Sequence, residues 1–537
     1  MKQPYIDFSQ VRDVATLEDL SVLPLPGEGL FKISVTPVYP TKSAPGNDIG
    51  KEKISRLTID CTAGVQLLSG ASEKELPYQA DHANIPPQEW IVKADDNVEA
   101  LAQITFDAAT GGKAVCTAIC SRHLREVGRT NPDFILYSPA EGDTAHYGNE
   151  NVTVLELGNN KLVSFWLQSA FEQSTQSCCV RSFSENGGRT WSVPQSITGS
   201  NADPTTGRNR INHTTAILNK KGRIYLFLNR NSGHFAPHEN GRPFVCFSDD
   251  GGKHFSREYE LKFPHGKYDD PSIPTSWITA VPPVRLTSGK YCGGVTKYAS
   301  RSNLLNRPFW TAEESFCEIY VIDNLDDNPE PDELQIRWTA FDDTALTYPH
   351  RECENWHVLQ EPSVVELPDG RLFMVARSNC GSPCWSVSSR GGDFWEPAKK
   401  LRYGDGLAII KHPLSPCPIY QLNKEEYVLF IHNHDGNFGP WGNQDTARHR
   451  CPLYAVYGVF DPQGIQPIRF ASPLFFASNN GRLLGNNPRA DMALYGSLTN
   501  NNGNRVLWYP DRKFFLCGKK IDISALRKQE FPNIPER

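Results

Sequence analysis

Three stretches of this chain share one local design. Residues 184–191 read SENGGRTW, residues 248–255 read SDDGGKHF and residues 388–395 read SSRGGDFW. Each is Ser-x-x-Gly-Gly-x-x-aromatic. Consecutive glycines supply the positive φ angles of a tight turn. The polar side chains ahead of them hydrogen-bond the local backbone, and the closing aromatic packs back onto a sheet. One copy would describe a surface hairpin; three with the same internal order describe a repeat. The first two begin 64 residues apart, and the second and third 140 apart, two further steps of 70. A period of about 65–70 residues is too long for a solenoid and suits one four-stranded propeller blade with generous loops.

Between the turns the chain repeats a second phrase, in which an apolar strand, a short turn and another strand follow a polar start. Such pairs begin at Glu150, Asn212, Pro274, Glu361, Ser415 and Ala493. The first 147 residues add strand-like LFKISVTPVYP, QEWIVKADD and ALAQITFDAA. The expectation is an all-β chain, one seven-bladed β-propeller over residues 1–537, with residues 1–147 forming the first blade and the ring closure and six blades as the alternative. Short helices are expected in LTIDCTAGVQLLSG and DISALRKQE.

Composition narrows the function. With 39% hydrophobic, 22% charged and 11% aromatic residues the chain is globular. A net charge of −6 gives no reason to expect nucleic acid, and no apolar run reaches membrane-span length. The 14 cysteines form no CxxC pair and no Cys/His zinc spacing. They fit either buried thiols or the disulfides of a secreted protein. Sequons at Asn151 and Asn212 carry little weight alone. The expectation is an extracellular monomer whose signal peptide is not in this chain, with no metal or cofactor in its chemistry and a structural calcium as an option.

In a propeller, residues where the innermost strands begin converge from distant blades. This picks out Asn212, His213, Glu361 and Ser415, with Arg210 just ahead of its strand, Arg377 closing FMVAR, and His432 and His434 in HNHDG. Arg489 is a reserve. Taken singly, each also fits a loop-capping polar residue.

The turns resemble the Asp-box, or bacterial neuraminidase repeat, whose usual form is Ser-x-Asp-x-Gly-x-Thr-Trp. The copy at 184 has Asn186 at the Asp position, the second has Asp250 and the third Arg390. EPSVVELPDGRLFMVARS likewise resembles a blade phrase of sialidase-like proteins. That resemblance implies a carboxylate bound by three arginines and a Tyr/Glu pair as nucleophile. The first of those arginines normally sits in an Arg-Ile-Pro phrase. None of Arg12, Arg56, Arg122, Arg125 and Arg129 stands in one.

The chain is also similar in overall character to the L-rhamnose-α-1,4-D-glucuronate lyases. They are sialidase-like seven-bladed proteins that trim rhamnose from plant arabinogalactan and gum arabic. This resemblance implies β-elimination on an acidic plant polysaccharide, with a base near neutral pKa taking the C5 proton and a cation stabilising the enolate-like state. It implies a histidine base, assigned to His82, with Tyr147 as acid or partner, Arg210 as carboxylate clamp, and Trp356 or Trp441 walling an apolar sugar face. Two alternatives stand beside it. One is a sialidase-like exo-glycosidase with Glu361, Glu354 and Asp435 as its carboxylates; the other is a non-catalytic carbohydrate-binding propeller.

Overall fold

The fold comes from a computed structural model, which describes residues 17–25, 29–37, 54–76, 88–95, 98, 100–108, 113–119, 122–172, 174–232, 241–262, 265, 272, 276–299, 314–338, 346–353, 356–389, 391–501 and 503–535. The chain divides into two compact units, residues 1–143 and 144–537.

In the first unit, strands Leu17–Pro24, Leu30–Pro37, Gln88–Ala94 and Val65–Ser69 form one antiparallel sheet. Glu73–Glu75, Ile54–Cys61, Ala100–Ala108 and Lys113–Ile119 form a second. Strand side chains alternate faces. The inward set of one sheet (Phe31, Ile33, Val35, Trp90, Val92) shares a single core with that of the other (Leu57, Ile59, Ala102, Ile104, Phe106). The described residues within 17–119 thus form two packed sheets, where one blade with ring closure was expected of 1–147. LTIDCTAGVQLLSG contains no helix: alternation and β-branched residues win, and strands Ile54–Cys61 and Val65–Ser69 turn at Gly64, φ 80°.

The second unit holds six antiparallel sheets, and their innermost strand pairs are the six phrases read in the sequence. The first sheet runs Gly148–Gly158, Lys161–Ser169, Ser177–Ser184 and Gln195–Thr198; the second Ile211–Leu218, Ile224–Asn231, Gly241–Ser248 and Tyr259–Glu260. The third runs Ser276–Ile278, Tyr291–Tyr298, Ser315–Ile322 and Ile336–Trp338; the fourth Leu359–Glu366, Leu372–Ser378, Cys384–Ser388 and Lys399–Lys400. The fifth runs Ile419–Gln421, Glu426–Ile431, Leu453–Phe460 and Ile468–Phe470. The sixth contains Ser497–Asn501, Asn504–Asp511 and Phe515–Lys520.

Each sheet is packed on the next. Shared cores join the first to the second, the second to the third, the third to the fourth and the fourth to the fifth. Tyr420 Oη of the fifth donates to Gly496 O beside the sixth, at 3.2 Å. The sixth returns to the first: Val152 N donates to Tyr495 O at 2.9 Å, and Trp191 meets Trp508 edge-on at 5.5 Å. Burial on both faces explains why the second strand of the fourth sheet opens with the apolar run LFMVA ahead of Arg377. Among the described residues this series has six sheets.

The repeated turns join the third strand of a sheet to its fourth, as hairpins. In the first two, Ser184 Oγ accepts from Gly188 N and Ser248 Oγ from Gly252 N, at 2.8 and 2.9 Å. In the third, Ser388 Oγ accepts from Gly392 N at 3.0 Å. All six glycines have positive φ. The expected C-terminal helix is present at Ile523–Arg527. Among the described residues no helix is long and apolar enough to cross a membrane.

Twelve cysteines are described and all are free thiols. Asn151 and Asn212, the sequon residues, are buried.

Candidate active site

Three of the innermost strands are bulged near their starts, between Glu150 and Thr153, Ile211 and His213, and Gln360 and Ser363. Bulges re-aim side chains and cluster beside functional sites. Asn151 (φ 56°) and Glu361 (φ 55°) occupy them in the left-handed region, which costs a non-glycine residue about 1–3 kcal/mol.

Glu361 is fully buried and faces Arg377, whose Nη1 stands 2.9 Å from Glu361 Oε1 and donates to Tyr495 Oη at 3.2 Å. The Glu361 contact is close but misaligned, and among the described residues the carboxylate accepts no hydrogen bond. Gln360 Oε1 accepts from Arg377 Nε at 2.8 Å and fixes the guanidinium plane. Burial works against the Arg377 charge, but Glu361 and Tyr495 more than offset it and the pKa is raised. Burial, then the Glu361 charge, pushes the Tyr495 phenol up; Arg377, Lys513 and Arg450 pull it back.

Around this trio lie further buried charges. Arg489 grips Asp491 with two hydrogen bonds, of 2.6 and 3.0 Å, and also pairs with Glu172. Lys513 pairs with Glu172 and, at 2.8 Å, with Glu150; its Nζ lies 4.6 Å from the Tyr495 ring centroid. Burial opposes ionisation of Glu172, yet Arg489 and Lys513 hold its pKa well below the usual carboxylate range. Arg450 donates from Nε and Nη2 to Leu414 O at 3.0 and 2.6 Å, leaving Nη1 a longer 3.9 Å approach to Asp491. Burial lowers its pKa. Arg377, Arg450 and Arg489 thus form a buried basic cluster beside a phenol and a carboxylate.

Behind Arg450 stands a column of buried imidazoles. His412 and His432 stack at 5.4 Å, His432 and His434 are 6.4 Å apart, and His434 meets His449 edge-on at 5.2 Å. Burial lowers all four pKa values, to about 3 for His412 and about 4 for His449. The neutral tautomers follow from their partners. His412 Nδ1 accepts from His432 N, so Nε2 donates to Ser415 O. His432 Nδ1 donates to Pro452 O and Nε2 accepts from Ser415 Oγ. His434 Nε2 donates to His449 O and Nδ1 accepts from Gly436 N. Among the described residues, neither ring nitrogen of His449 has a hydrogen-bond partner.

The residues expected from sequence are placed as follows. Glu361, Arg377 and Arg489 belong to the charged cluster. His432, His434 and Ser415 support it, with the ring nitrogens of both histidines taken up by protein groups. Arg210 donates to Asn212 Oδ1 and Ser174 O, and Asn212 Nδ2 to Asn229 Oδ1, so these three brace the second sheet. His213 Nδ1 lies 3.2 Å from Asn151 Nδ2, one residue from the Val152 contact to Tyr495. Tyr147 is half-buried against Phe514 at 4.7 Å. Trp356 is half-buried, Trp441 is exposed, and Asp435 lies 3.9 Å from Arg351. His82 and Glu354 lie outside the described residues. Among those described, no group of three His, Cys, Asp or Glu is placed to hold a metal ion.

Tyr495, Arg450, Asp491, Lys513 and Glu172 were not singled out in the sequence. Tyr495 was within reach, because it stands where the sixth innermost strand begins, the rule that selected Glu361. Arg450, Lys513 and Glu172 come from connecting segments without such a marker.

No protein-family model matches this chain, and no curated protein does. Solved structures do. The "Hadza microbial sialidase Hz136" aligns over 96% of this chain and 97% of its own, at 11% identity and a TM-score of 0.51. NanB sialidase of Streptococcus pneumoniae covers 84% of this chain and 80% of its own, at 11% identity and a TM-score of 0.48. A leech intramolecular trans-sialidase covers 94% and 95%, at 13% identity and a TM-score of 0.47. What the chain shares with Hz136 is a sialidase-like all-β fold.

Proposed function

We propose that this protein is a sialidase-like exo-glycosidase that takes an acidic sugar at the Arg377–Arg450–Arg489 cluster. One observation carries the reading. A buried phenol and a buried carboxylate, Tyr495 and Glu361, flank a single guanidinium within 3.2 and 2.9 Å. We read it as the Tyr/Glu pair that the sialidase-like resemblance implies, beside the three arginines it also implies. In the proposed step the Tyr495 oxygen attacks the anomeric carbon while its proton passes to Glu361. The glycosidic bond breaks and the leaving oxygen takes a proton from water. Water then attacks the anomeric carbon and gives up a proton to solvent, the bond to Tyr495 breaks, and the phenoxide recovers its proton from Glu361. The guanidinium groups pair with the sugar carboxylate.

The Arg-Ile-Pro phrase is missing, so the acidic sugar is left open between a sialic acid and a uronic acid. The lyase reading, with a rhamnose–glucuronate glycan as substrate, rests on resemblance, and its base His82 lies outside the described residues. The deciding experiment incubates the protein with 4-methylumbelliferyl sialoside and glucuronide and with gum arabic, following released sugar and near-ultraviolet absorbance together. Release of a saturated acidic sugar supports the hydrolase. Free rhamnose with rising absorbance from an unsaturated uronate replaces it with the lyase. Binding without release leaves a carbohydrate-binding protein.

A further inference from the structure

The fourth sheet carries a pair of thiols that the proposed chemistry does not use. Its second strand ends at Ser378, its third begins at Cys384, and Asn-Cys-Gly-Ser-Pro joins them. Gly381 at φ 83° closes the turn. The loop is fixed on several sides. Leu401 N donates to Pro383 O at 2.8 Å, His412 N to Gly381 O at 3.0 Å, and Cys380 N to Ser378 Oγ at 3.2 Å. This framework holds Cys380 Sγ 3.9 Å from Cys384 Sγ. Cys384 is buried and Cys380 is half-buried.

From this geometry we propose that Cys380 and Cys384 are a redox-active dithiol, closed to a disulfide by low-molecular-weight disulfides of the glutathione class. Cys380 is the attacking thiolate. Its sulfur is 2.8 Å from Ser378 Oγ, and Lys400 pairs across the strand with Cys384. The Cys384 thiol, with help from Ser378 and Lys400, brings Cys380 down to about 6 against the effect of burial. Burial pushes Cys384 up, and the neighbouring Cys380 charge adds to it. These are the surroundings that separate an attacking cysteine from an inert one.

The step balances as ordinary thiol–disulfide exchange. The Cys380 thiolate attacks one sulfur of oxidised glutathione, forming a mixed disulfide and expelling one glutathione thiolate. Cys384, relieved of its anionic neighbour, gives its proton to that thiolate. The Cys384 sulfur then attacks the Cys380 sulfur and expels the second glutathione. Two protein thiols are oxidised and one glutathione disulfide is reduced to two thiols. Among the described residues, this is the pair of thiols in contact.

Trypsin isolates the pair, because cleavage after Arg377 and Arg390 yields residues 378–390 with both cysteines and no others. The folded full-length protein is treated with oxidised glutathione at neutral pH, alkylated with iodoacetamide, digested and weighed. The expected result is the 378–390 peptide two hydrogens lighter than the dithiol and unalkylated, returning to the doubly alkylated form after dithiothreitol. Alkylation of Cys380 in the untreated protein should have a pH midpoint near 6, against the ordinary value of about 8.5. In Cys384→Ser the glutathione should stay on Cys380, and in Cys380→Ser neither adduct nor disulfide should form. Double alkylation after oxidant, a stable glutathione adduct on the wild type, or a link from this peptide to another would each overturn the proposal. Circular dichroism of the wild type before and after oxidation shows that the reaction occurred on folded protein.

Discussion

Tyr495 is a weak nucleophile as it stands. Its phenol is buried and its pKa is raised, so it needs a base within reach as its oxygen attacks. Glu361, without a hydrogen bond and held at a strained φ of 55°, is the available one. Glu361→Gln should therefore lower kcat by about 10²–10⁴, the usual worth of general acid–base assistance, and Tyr495→Phe, which removes the nucleophile itself, by at least as much, each with little change in KM. Arg450→Ala should instead raise KM for a carboxylate-bearing substrate, because Arg450 Nη1 is the least committed of the cluster's cations. Steady-state kinetics on 4-methylumbelliferyl sialoside or glucuronide, whichever is turned over, separate the two patterns. A Tyr495→Phe enzyme with unchanged kcat would remove the phenol from the mechanism. At this scale the sequence was partly legible. Glu361 and Arg377 lie in a recognisable blade phrase, but their partner Tyr495 is 118 residues beyond Arg377, and only the ring brings them together. Lys513 was harder still. It sits with Arg512 at a turn where both residues have positive φ, positions that Asn-Gly normally fills.

The histidine column and the glycine turns make separate predictions about individual elements. Unfolded imidazoles take up protons below 6.5, whereas folded His412 holds out to about 3 and folded His449 to about 4. Between those limits the unfolded chain binds more protons, so stability falls as pH falls, by about 1.4 kcal/mol per histidine per pH unit. Denaturant midpoints at pH 7 and 5.5 should show this steep acid loss. His449→Leu, which removes two unpartnered ring nitrogens, should flatten the slope by one histidine's share; an unchanged slope would mean that His449 is already protonated in the fold. In the turns, a Cβ at Gly252 would lie 3.3 Å from both Phe165 and Val163, while one at Gly222 would meet nothing within 4 Å. Both glycines have φ near 90°. Gly252→Ala should therefore cost more stability than Gly222→Ala, since only the first adds a packing clash to the backbone strain. These turns were the most legible part of the chain, because a Gly-Gly turn is a local demand that no distant contact overrides.

The division of the chain into two units is where sequence reading was least able to see. Strand phrases such as LFKISVTP and ALAQITFDA are real strands, but alternation reports that a strand has one buried face without saying what covers it. A blade and a two-sheet pack both satisfy that pattern, and the glycine turns that mark the second unit's sheets do not occur before residue 184. The two N-terminal sheets close their own core, whose last member is Ala118. The six sheets that follow pass from one to the next and return to the start, with Val152 bonded to Tyr495 and Trp191 against Trp508. Every residue of the proposed site, from Glu150 to Lys513, comes from the second unit. A chain beginning at Arg122 should therefore remain folded, with the single cooperative transition of a ring whose sheets depend on one another, and should retain kcat on a small chromogenic substrate. KM for a large polysaccharide is the quantity through which the N-terminal sheets would declare a glycan-binding role, by rising when they are removed. Loss of kcat on the small substrate in a shortened chain that still folds would mean that the N-terminal unit supplies part of the chemistry, and would return His82 to consideration as the base.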